Sequence, residues 1–305
     1  MTNKNLTFEA SLKSLETENF IDRVFYRPIG YRIALLLKNT GITPNAITII
    51  SIFFGVAAGI LFYPQDIGIN AIGIFLLICA NILDCVDGQL ARLTGIKSHI
   101  GRILDGVAGD LWFVAIYIAI AMRLEQTLPC SHPSVWAWLL ASLAGASNLV
   151  QANITDYYKT LHLYFISLEK GAEFDTVERV KVKYAQTPRG INKVMCWLYI
   201  YYTILQNKTT PQLQKLLARL IEKYGEDFPE NIRQDLRAKN MKIMPIINQT
   251  TFNGRSIVLF LSLILSYFCP WALIFYLLYE IVILNFCLIL ARIIHENICK
   301  NYKVL

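Results

Sequence analysis

Long uncharged runs of apolar residues dominate the pattern of this chain. Residues 46–63 read AITIISIFFGVAAGILFY and carry no charge over 18 positions. A helix needs roughly 20 such residues to cross about 30 Å of hydrocarbon. Five further runs predict membrane spans over residues 69–90, 103–122, 134–157, 252–267 and 270–292. The fifth of the six spans is short before Pro270, so a single kinked helix over 252–292, giving five spans, is the alternative.

Two long stretches lack this character. Residues 1–41 mix apolar and charged positions and predict a helix that lies along the cytosolic membrane interface. Residues 160–250 predict a helical cytosolic insert, in which Gly225 and Pro229 separate the two arms of a helical hairpin. The predicted domains are listed in chain order: 1–41, the interfacial helix; 42–159, the catalytic core; 160–250, the insert; 251–305, the last two spans and a cytosolic tail.

Basic residues decide the orientation of the spans. The predicted outer connections, residues 64–68, 123–133 and 267–271, contain a single basic residue, Arg123. The opposite ends hold the remaining lysines and arginines that flank the spans, which places those ends in the cytoplasm. Both termini then face the cytoplasm, which requires an even number of spans and favours six.

Composition supports an all-α integral membrane protein with several spans. The chain is 55% hydrophobic and 17% charged, more apolar than a soluble domain of 305 residues requires. Seven cysteines without metal-binding spacing predict reduced, buried thiols. A formal charge of +7 fits basic cytosolic ends and anionic lipid, and no nucleic-acid-binding motif is visible. In a bacterium the inner membrane is the expected location.

Acidic residues stand at helical spacing inside two of these apolar runs. Asp84 and Asp87 are three positions apart, and Gly101 precedes Asp105 by four, so each pair shares a helix face. Three carboxylates facing one another repel unless cations lie between them. Ligands that are all oxygen favour a hard ion such as Mg²⁺, Mn²⁺ or Ca²⁺. The sequence therefore predicts a metal site formed by Asp84, Asp87 and Asp105 at the cytosolic mouth of the second and third spans.

Small residues accompany these acids. Gly88, Ala91 and Gly101 allow a nucleotide to approach the backbone closely, and Arg92 is placed to meet its phosphates. There are two alternatives to a phosphate pocket. One is an ion pair that serves only helix packing, and the other is a pathway for cations or protons. The glycines and the cytosolic placement favour a phosphate pocket.

These residues resemble the CDP-alcohol phosphotransferase family, whose motif is D-x2-D-G-x2-A-R-x8-G-x3-D-x3-D. The resemblance covers mainly residues 40–125. Seven of the eight motif positions are occupied in order and with the motif's spacing, by Asp84, Asp87, Gly88, Ala91, Arg92, Gly101 and Asp105. It implies a membrane enzyme of phospholipid synthesis that transfers a phosphatidyl group from a CDP-alcohol, usually CDP-diacylglycerol, to an acceptor hydroxyl and releases CMP.

The resemblance also implies the roles of the site residues. Two Mg²⁺ or Mn²⁺ ions bound by the three aspartates bridge the pyrophosphate. Asp105 also has a catalytic role. The CDP moiety is bound by Gly88, Ala91, Arg92 and Gly101. A homodimer is implied as well. The alternatives are a phosphotransferase that uses CDP-choline or CDP-ethanolamine with a lipid alcohol, and a non-catalytic membrane scaffold of the same fold.

One motif position departs from the family. The last aspartate, which in relatives is the proposed general base, falls at Gly109, and Asp110 follows one residue later. One residue is about 100° of helix rotation, so Asp110 does not simply replace it. Either a π-bulge turns Asp110 into the site, making it the base, or water or another group serves, or activity has been lost.

Basic residues for an anionic acceptor are predicted at the cytosolic ends of the fourth and fifth spans. Lys159 and Arg255 are so placed, and inositol phosphate, then glycerol phosphate, is the expected acceptor. The alternative is that both residues only determine topology. Glu280, in the sixth span, is predicted to be a protonated structural acid.

Overall fold

The computed structural model describes residues 7–96, 99–172, 174–225 and 227–302, and within these ranges the chain forms helices joined by turns and loops, with no β-strand. Thirteen α-helices follow in chain order: α1 (Arg27–Leu37), α2 (Pro44–Leu61), α3 (Ile67–Thr94), α4 (His99–Thr127), α5 (Pro133–Ile166), α6 (Val177–Gln186), α7 (Ile191–Thr209), α8 (Pro211–Tyr224), α9 (Glu230–Asn240), α10 (Met244–Ile247), α11 (Phe252–Leu265), α12 (Ala272–Leu278) and α13 (Asn285–Lys300). A π-helical segment, Tyr279–Leu284, joins α12 to α13. The predicted all-α fold is confirmed.

Five helical stretches are long and apolar enough to cross a membrane: Pro44–Leu61, Ile67–Thr94, Leu104–Thr127, Pro133–Ile166 and Ala272–Lys300. The predicted fifth span corresponds to α11, an apolar helix of 14 residues. Its length is about 21 Å, less than the hydrocarbon thickness. The single kinked helix over 252–292 is wrong, because residues 266–271 form a non-helical turn between α11 and α12.

The chain divides into two compact units. The first consists of Met1–Leu149 with Phe252–Leu284. Its core lies where α2 and α4 approach closely. A Cβ added at Gly55 would fall 2.1 Å from the Trp112 ring, and one at Gly59 would fall 2.9 Å from the backbone of Ala115. Absence of a side chain at these two glycines therefore permits the contact between the helices.

The second unit consists of Val150–Thr251 with Asn285–Leu305. The insert is helical, as predicted, and Gly225 (φ 77°) and Pro229 separate α8 from α9. Helix α8 buries one leucine face and receives the carboxylate of Glu296 at its first turn, where Gln212 N donates over 2.8 Å. The negative charge stabilises the helix N-terminus at that point.

The N-terminal segment is helical over only part of the predicted range. It contains a short 3₁₀ turn, Glu9–Ser11, and a π-helical turn, Asp22–Tyr26, that runs directly into α1. Between them, Thr17 Oγ1 donates to the Ser14 carbonyl at 3.1 Å, and the Ser14 hydroxyl accepts from Glu16 N at 3.2 Å. Such local bonds from side chains to backbone compete with a helix.

Substitution of single glycines tests the contact between α2 and α4. We expect Gly59→Ala to lower the free energy of unfolding by about 1–3 kcal/mol, because the new methyl meets backbone atoms that cannot move aside. Gly106→Ala on α4, where a Cβ meets nothing within 4 Å, is the matched control and should raise it by about 0.5–1 kcal/mol. Thermal unfolding in detergent measures both, and equal effects would contradict the close approach.

Candidate functional site

Three carboxylates from two helices meet near the C-terminal end of α3. Asp84 and Asp87 stand one turn apart on α3, and Asp105 comes from the second turn of α4. One carboxylate oxygen from each lies within 4.8 Å of the other two. Asp87 is buried, Asp84 half-buried and Asp105 exposed. The spacing expected from the sequence thus places the three acids together, with one side of the group open to solvent.

A threonine that the sequence reading missed holds one of these acids. Thr48 Oγ1, on α2, donates to Asp87 Oδ2 at 2.5 Å, and both side chains are buried. Helix α2 is positioned by Thr43, whose side chain accepts from Ala46 N, and by Pro44 in its first turn. An isolated polar residue in an uncharged span carries little signal by itself. Its place one turn after Pro44, on the face toward α3, is the clue.

The glycine and arginine that follow Asp87 are in direct contact with each other. A Cβ added at Gly88 would lie 3.2 Å from an Arg92 guanidinium nitrogen, so the glycine makes room for that side chain. Arg92 Nε also donates to the Ser11 carbonyl oxygen. Ala91 is half-buried on the next turn, and Gly101 lies one turn before Asp105.

The N-terminal segment packs onto the helix that carries two of the acids. Gln89 Nε2 donates to Ser11 Oγ at 3.0 Å and to the Arg27 carbonyl at 3.2 Å. At Gly30 a Cβ would lie 2.6 Å from Gln89 Oε1, so α1 and α3 are in close contact. Sequence reasoning missed this packing, because nothing in a mixed apolar and charged segment shows which helix it will contact.

This segment also brings charge to the carboxylate group. The Arg27 guanidinium forms a 2.9 Å ion pair with Glu18 and interacts electrostatically with Asp84. Burial by itself works to lower the pKa of Arg27, but the carboxylates of Glu18 and Asp22 help to raise it above its ordinary value. A permanent cation therefore stands beside the acids in addition to Arg92.

The position of the missing aspartate faces open space. A Cβ built at Gly109 has no neighbour within 4 Å. Helix α4 is α-helical throughout, so the predicted π-bulge is wrong. Asp110 is half-buried and interacts with the charge of Arg255. The three-carboxylate group does not include it.

Arg255 lies in the first turn of α11 and is almost fully buried. Its Nη1 is 2.9 Å from Glu280 Oε2, the two side chains are 2% and 0% exposed, and the guanidinium stands 5.4 Å from the centre of the Phe113 ring. Glu280 was predicted to be protonated, whereas the structure places it in an ion pair with Arg255. Lys159, the other basic residue predicted to contact an acceptor, is half-buried on α5 in the second unit.

Comparison with known proteins finds a described family that part of this chain resembles. Residues 41–177 match the family model described as CDP-alcohol phosphatidyltransferase, a little under half of the chain. The resemblance inferred from the aspartate motif is therefore confirmed over these residues.

Several curated relatives share this region. An archaetidylinositol phosphate synthase of Pyrococcus horikoshii is 40% identical over 125 residues, which are 39% of this chain and 65% of the relative. A phosphatidylinositol phosphate synthase of Mycobacterium marinum is 27% identical over 143 residues, 43% of this chain and 59% of the relative. A bifunctional IPC transferase and DIPP synthase of Aquifex aeolicus is 28% identical over 142 residues, 47% and 30% respectively. The chain thus spans less than two thirds of each relative.

The buried ion pair is tested by removing one charge. We expect Glu280→Gln to lower the free energy of unfolding by about 3 kcal/mol, because Arg255 keeps its charge and loses its closest counter-charge, with Asp110 as partial compensation. Thermal unfolding in detergent is the measurement. Glu125→Gln, the same change at an exposed glutamate, is the control and should cost less than about 1 kcal/mol. Equal losses would contradict a stabilising pair.

Proposed function

We propose that this chain is a metal-dependent membrane transferase that moves a phosphatidyl group from CDP-diacylglycerol, or a related CDP-alcohol, to a hydroxyl of inositol phosphate and releases CMP. The observation that carries the proposal is the group of Asp84, Asp87 and Asp105, gathered within 4.8 Å inside the matched family region. The family match supplies the reaction class, and the names of the relatives supply the acceptor.

The three carboxylates fit a divalent metal site. They are like charges at close range, partly shielded from water, and such a set is stable only with cations or protons between them. Carboxylate oxygens suit Mg²⁺ or Mn²⁺, and we propose two ions held by Asp84, Asp87 and Asp105. When bound, the ions neutralise charge on the pyrophosphate and on the departing CMP. Thr48 fixes the orientation of one ligand by its bond to Asp87.

The transfer is a displacement at phosphorus. The acceptor oxygen bonds to the phosphorus that carries the diacylglycerol, the bond from that phosphorus to the bridging oxygen of the pyrophosphate breaks, and its electron pair leaves with CMP. We propose that Gly88, Ala91 and Gly101 let the cytidine nucleotide lie against the backbone, as the family motif implies. Arg92 and Arg27 would stabilise its phosphates, because both bring positive charge to this end of α3.

The acceptor hydroxyl must lose a proton, and the general base expected at position 109 is absent. The role of Asp110 as a base stays a prediction. Its place on a regular helix, interacting with Arg255, favours water that enters from the open side beside Gly109 as the proton acceptor. The role of Asp110 is then its electrostatic interaction with Arg255. Arg255 would bind the phosphate of the acceptor only if it released Glu280. Lys159 remains a second predicted acceptor contact.

The orientation in the membrane is part of the proposal. Basic residues at the span ends near the carboxylates favour a cytoplasmic active site, with both termini and the helices of the insert on that side. An even number of spans requires α11 and the stretch that begins with α12 to cross the membrane as two separate spans. Helix α11 has 14 residues. A homodimer is expected from the family resemblance.

A non-catalytic scaffold of the same fold is the second candidate. Gly109 favours it, because an inactive chain has no need of the general base. A phosphotransferase that uses CDP-choline or CDP-ethanolamine is a further candidate within the family. The first experiment below separates all three.

Release of CMP tests the reaction. Membranes that contain the protein, supplied with CDP-diacylglycerol, Mg²⁺ and inositol phosphate, should release CMP, and chelation by EDTA should stop it. Glycerol phosphate, and CDP-choline with diacylglycerol, are the comparison substrates. We expect Asp84→Asn or Asp87→Asn to reduce the rate about a hundredfold or more, since each removes a metal ligand. Asp235→Asn, at an exposed position in the insert, should not. If no donor yields CMP, the non-catalytic scaffold is the candidate that remains.

Two substitutions test the base. We expect Gly109→Asp to raise the rate of CMP release about tenfold or more, because the site has room for the side chain and a positioned base contributes about a hundredfold or more. Asp110→Asn should cost less than Asp84→Asn. A loss in Asp110→Asn as large as in Asp84→Asn, without loss of folded protein by circular dichroism, would instead identify Asp110 as the base.

A further inference from the structure

A second polar cluster lies at the other end of the first unit. It gathers around Arg123, which the sequence singled out as the sole basic residue of the predicted outer connections. Its partner Asn70 is 14 residues before Asp84 on α3, about 21 Å along the helix axis. A cavity of about 350 Å³ opens here, lined among others by Gln65, Arg123 and Tyr267. The cluster is therefore separate from the carboxylate group.

Arg123 is rigidly held, although it is only 2% exposed. Its Nη1 donates to Asn70 Oδ1 at 2.7 Å and to the Phe62 carbonyl at 3.3 Å, and its Nη2 donates to Ser266 Oγ at 2.7 Å. These bonds tie the guanidinium to α2, α3 and the end of α11. They use three of its five N–H groups. Arg123 also lines the cavity, so the cavity wall includes a fixed cation.

The partners of this cation are neutral. Within the described residues Arg123 forms no salt bridge, and its hydrogen-bond acceptors are an amide, a carbonyl and a hydroxyl. Tyr267, whose ring centre is 5.4 Å from the guanidinium carbon, donates its own hydrogen to Asn70. Burial raises the pKa of Tyr267 above its ordinary value even though the charge of Arg123 opposes this. The phenol therefore stays uncharged.

One acid near this cluster, Asp66, forms the N-terminal cap of α3. Asp66 interacts with Tyr267 electrostatically, but its carboxylate caps α3 by accepting from Ile69 N at 2.8 Å. Apolar side chains border the other side of the cavity, where Phe268 is 83% exposed. A buried arginine within a span ordinarily has an anionic partner or a water-filled cavity beside it. Here the polar wall holds a cation without a carboxylate, and the adjoining wall suits acyl chains.

We propose that this cavity binds a phosphate group, with Arg123 as the anchoring cation at a wall that Ser266 and Tyr267 also line. The phosphodiester of a lipid with no headgroup cation to oppose Arg123 is the source that the exposed Phe268 favours, and free inorganic phosphate has the same anionic chemistry. The site is independent of the transferase proposal, since no residue of the carboxylate group takes part. Bound lipid phosphate would supply the counter-charge that the protein itself leaves out.

Gln65 allows a test that leaves the bonds of Arg123 intact. It is exposed and lines the cavity, so Gln65→Glu adds a negative charge at the mouth with almost no change of shape. Gln126→Glu is the same change at an exposed position on α4 that does not line the cavity. Purified protein is incubated in detergent with phosphatidylglycerol, with phosphatidylcholine or with inorganic phosphate. Native mass spectrometry then measures retained lipid, and the unfolding temperature measures stabilisation by each addition.

We expect the native chain to retain phosphatidylglycerol about tenfold better than phosphatidylcholine. The Gln126→Glu variant should show the same preference as the native chain. The Gln65→Glu variant should lose this preference. Arg123→Gln should also lose it, and the Gln65 variant decides the matter if Arg123→Gln does not fold. Stabilisation by inorganic phosphate without lipid preference, again lost in Gln65→Glu, identifies free phosphate as the source. Equal retention of both lipids with no stabilisation by phosphate, or equal behaviour of the two glutamate variants, overturns the proposal.

Discussion

Repulsion among three carboxylates in a largely apolar bundle is the constraint on which the site depends. Asp84, Asp87 and Asp105 lie within 4.8 Å of one another at the ends of two membrane-type helices. Such a group persists only if bound cations, fixed protein charge or hydrogen bonds offset the repulsion. The protein supplies part of this itself, through the hydroxyl of Thr48 and the charge of Arg27. The repulsion that remains makes the site suited to divalent ions.

Several features of this arrangement follow from local sequence. Apolar runs of 18 residues or more predict helices, and acids three or four positions apart on a helix share one face whatever the tertiary structure. For that reason the all-α fold and the group of three aspartates could be predicted. The approximate boundaries also followed, although α5 extends to Ile166 and so exceeds the predicted span at 134–157.

Other features depend on which surfaces meet, and no local pattern encodes that. The bond from Thr48 to Asp87 joins residues 39 positions apart, and the bond from Gln89 to Ser11 joins residues 78 apart. The pair of Arg255 and Glu280 likewise needs α11 to fold back against the π-helical segment. A predicted π-bulge at Asp110 is absent, whereas π-helical turns occur at Asp22–Tyr26 and Tyr279–Leu284. Helix periodicity gives no warning of either turn.

Three arginines near or within apolar helices show how differently one side chain can be accommodated. Arg255 is paired with a carboxylate, which fixes it as part of the protein interior. Arg92 donates to a backbone carbonyl close to the acidic group, so side chains of both charges meet at this end of α3. Arg123 has only neutral acceptors. In the described residues its hydrogen-bond acceptors carry no formal charge, and a guanidinium stays charged under all physiological conditions. The degree of compensation, more than burial alone, therefore separates a structural arginine from one suited to bind an anion.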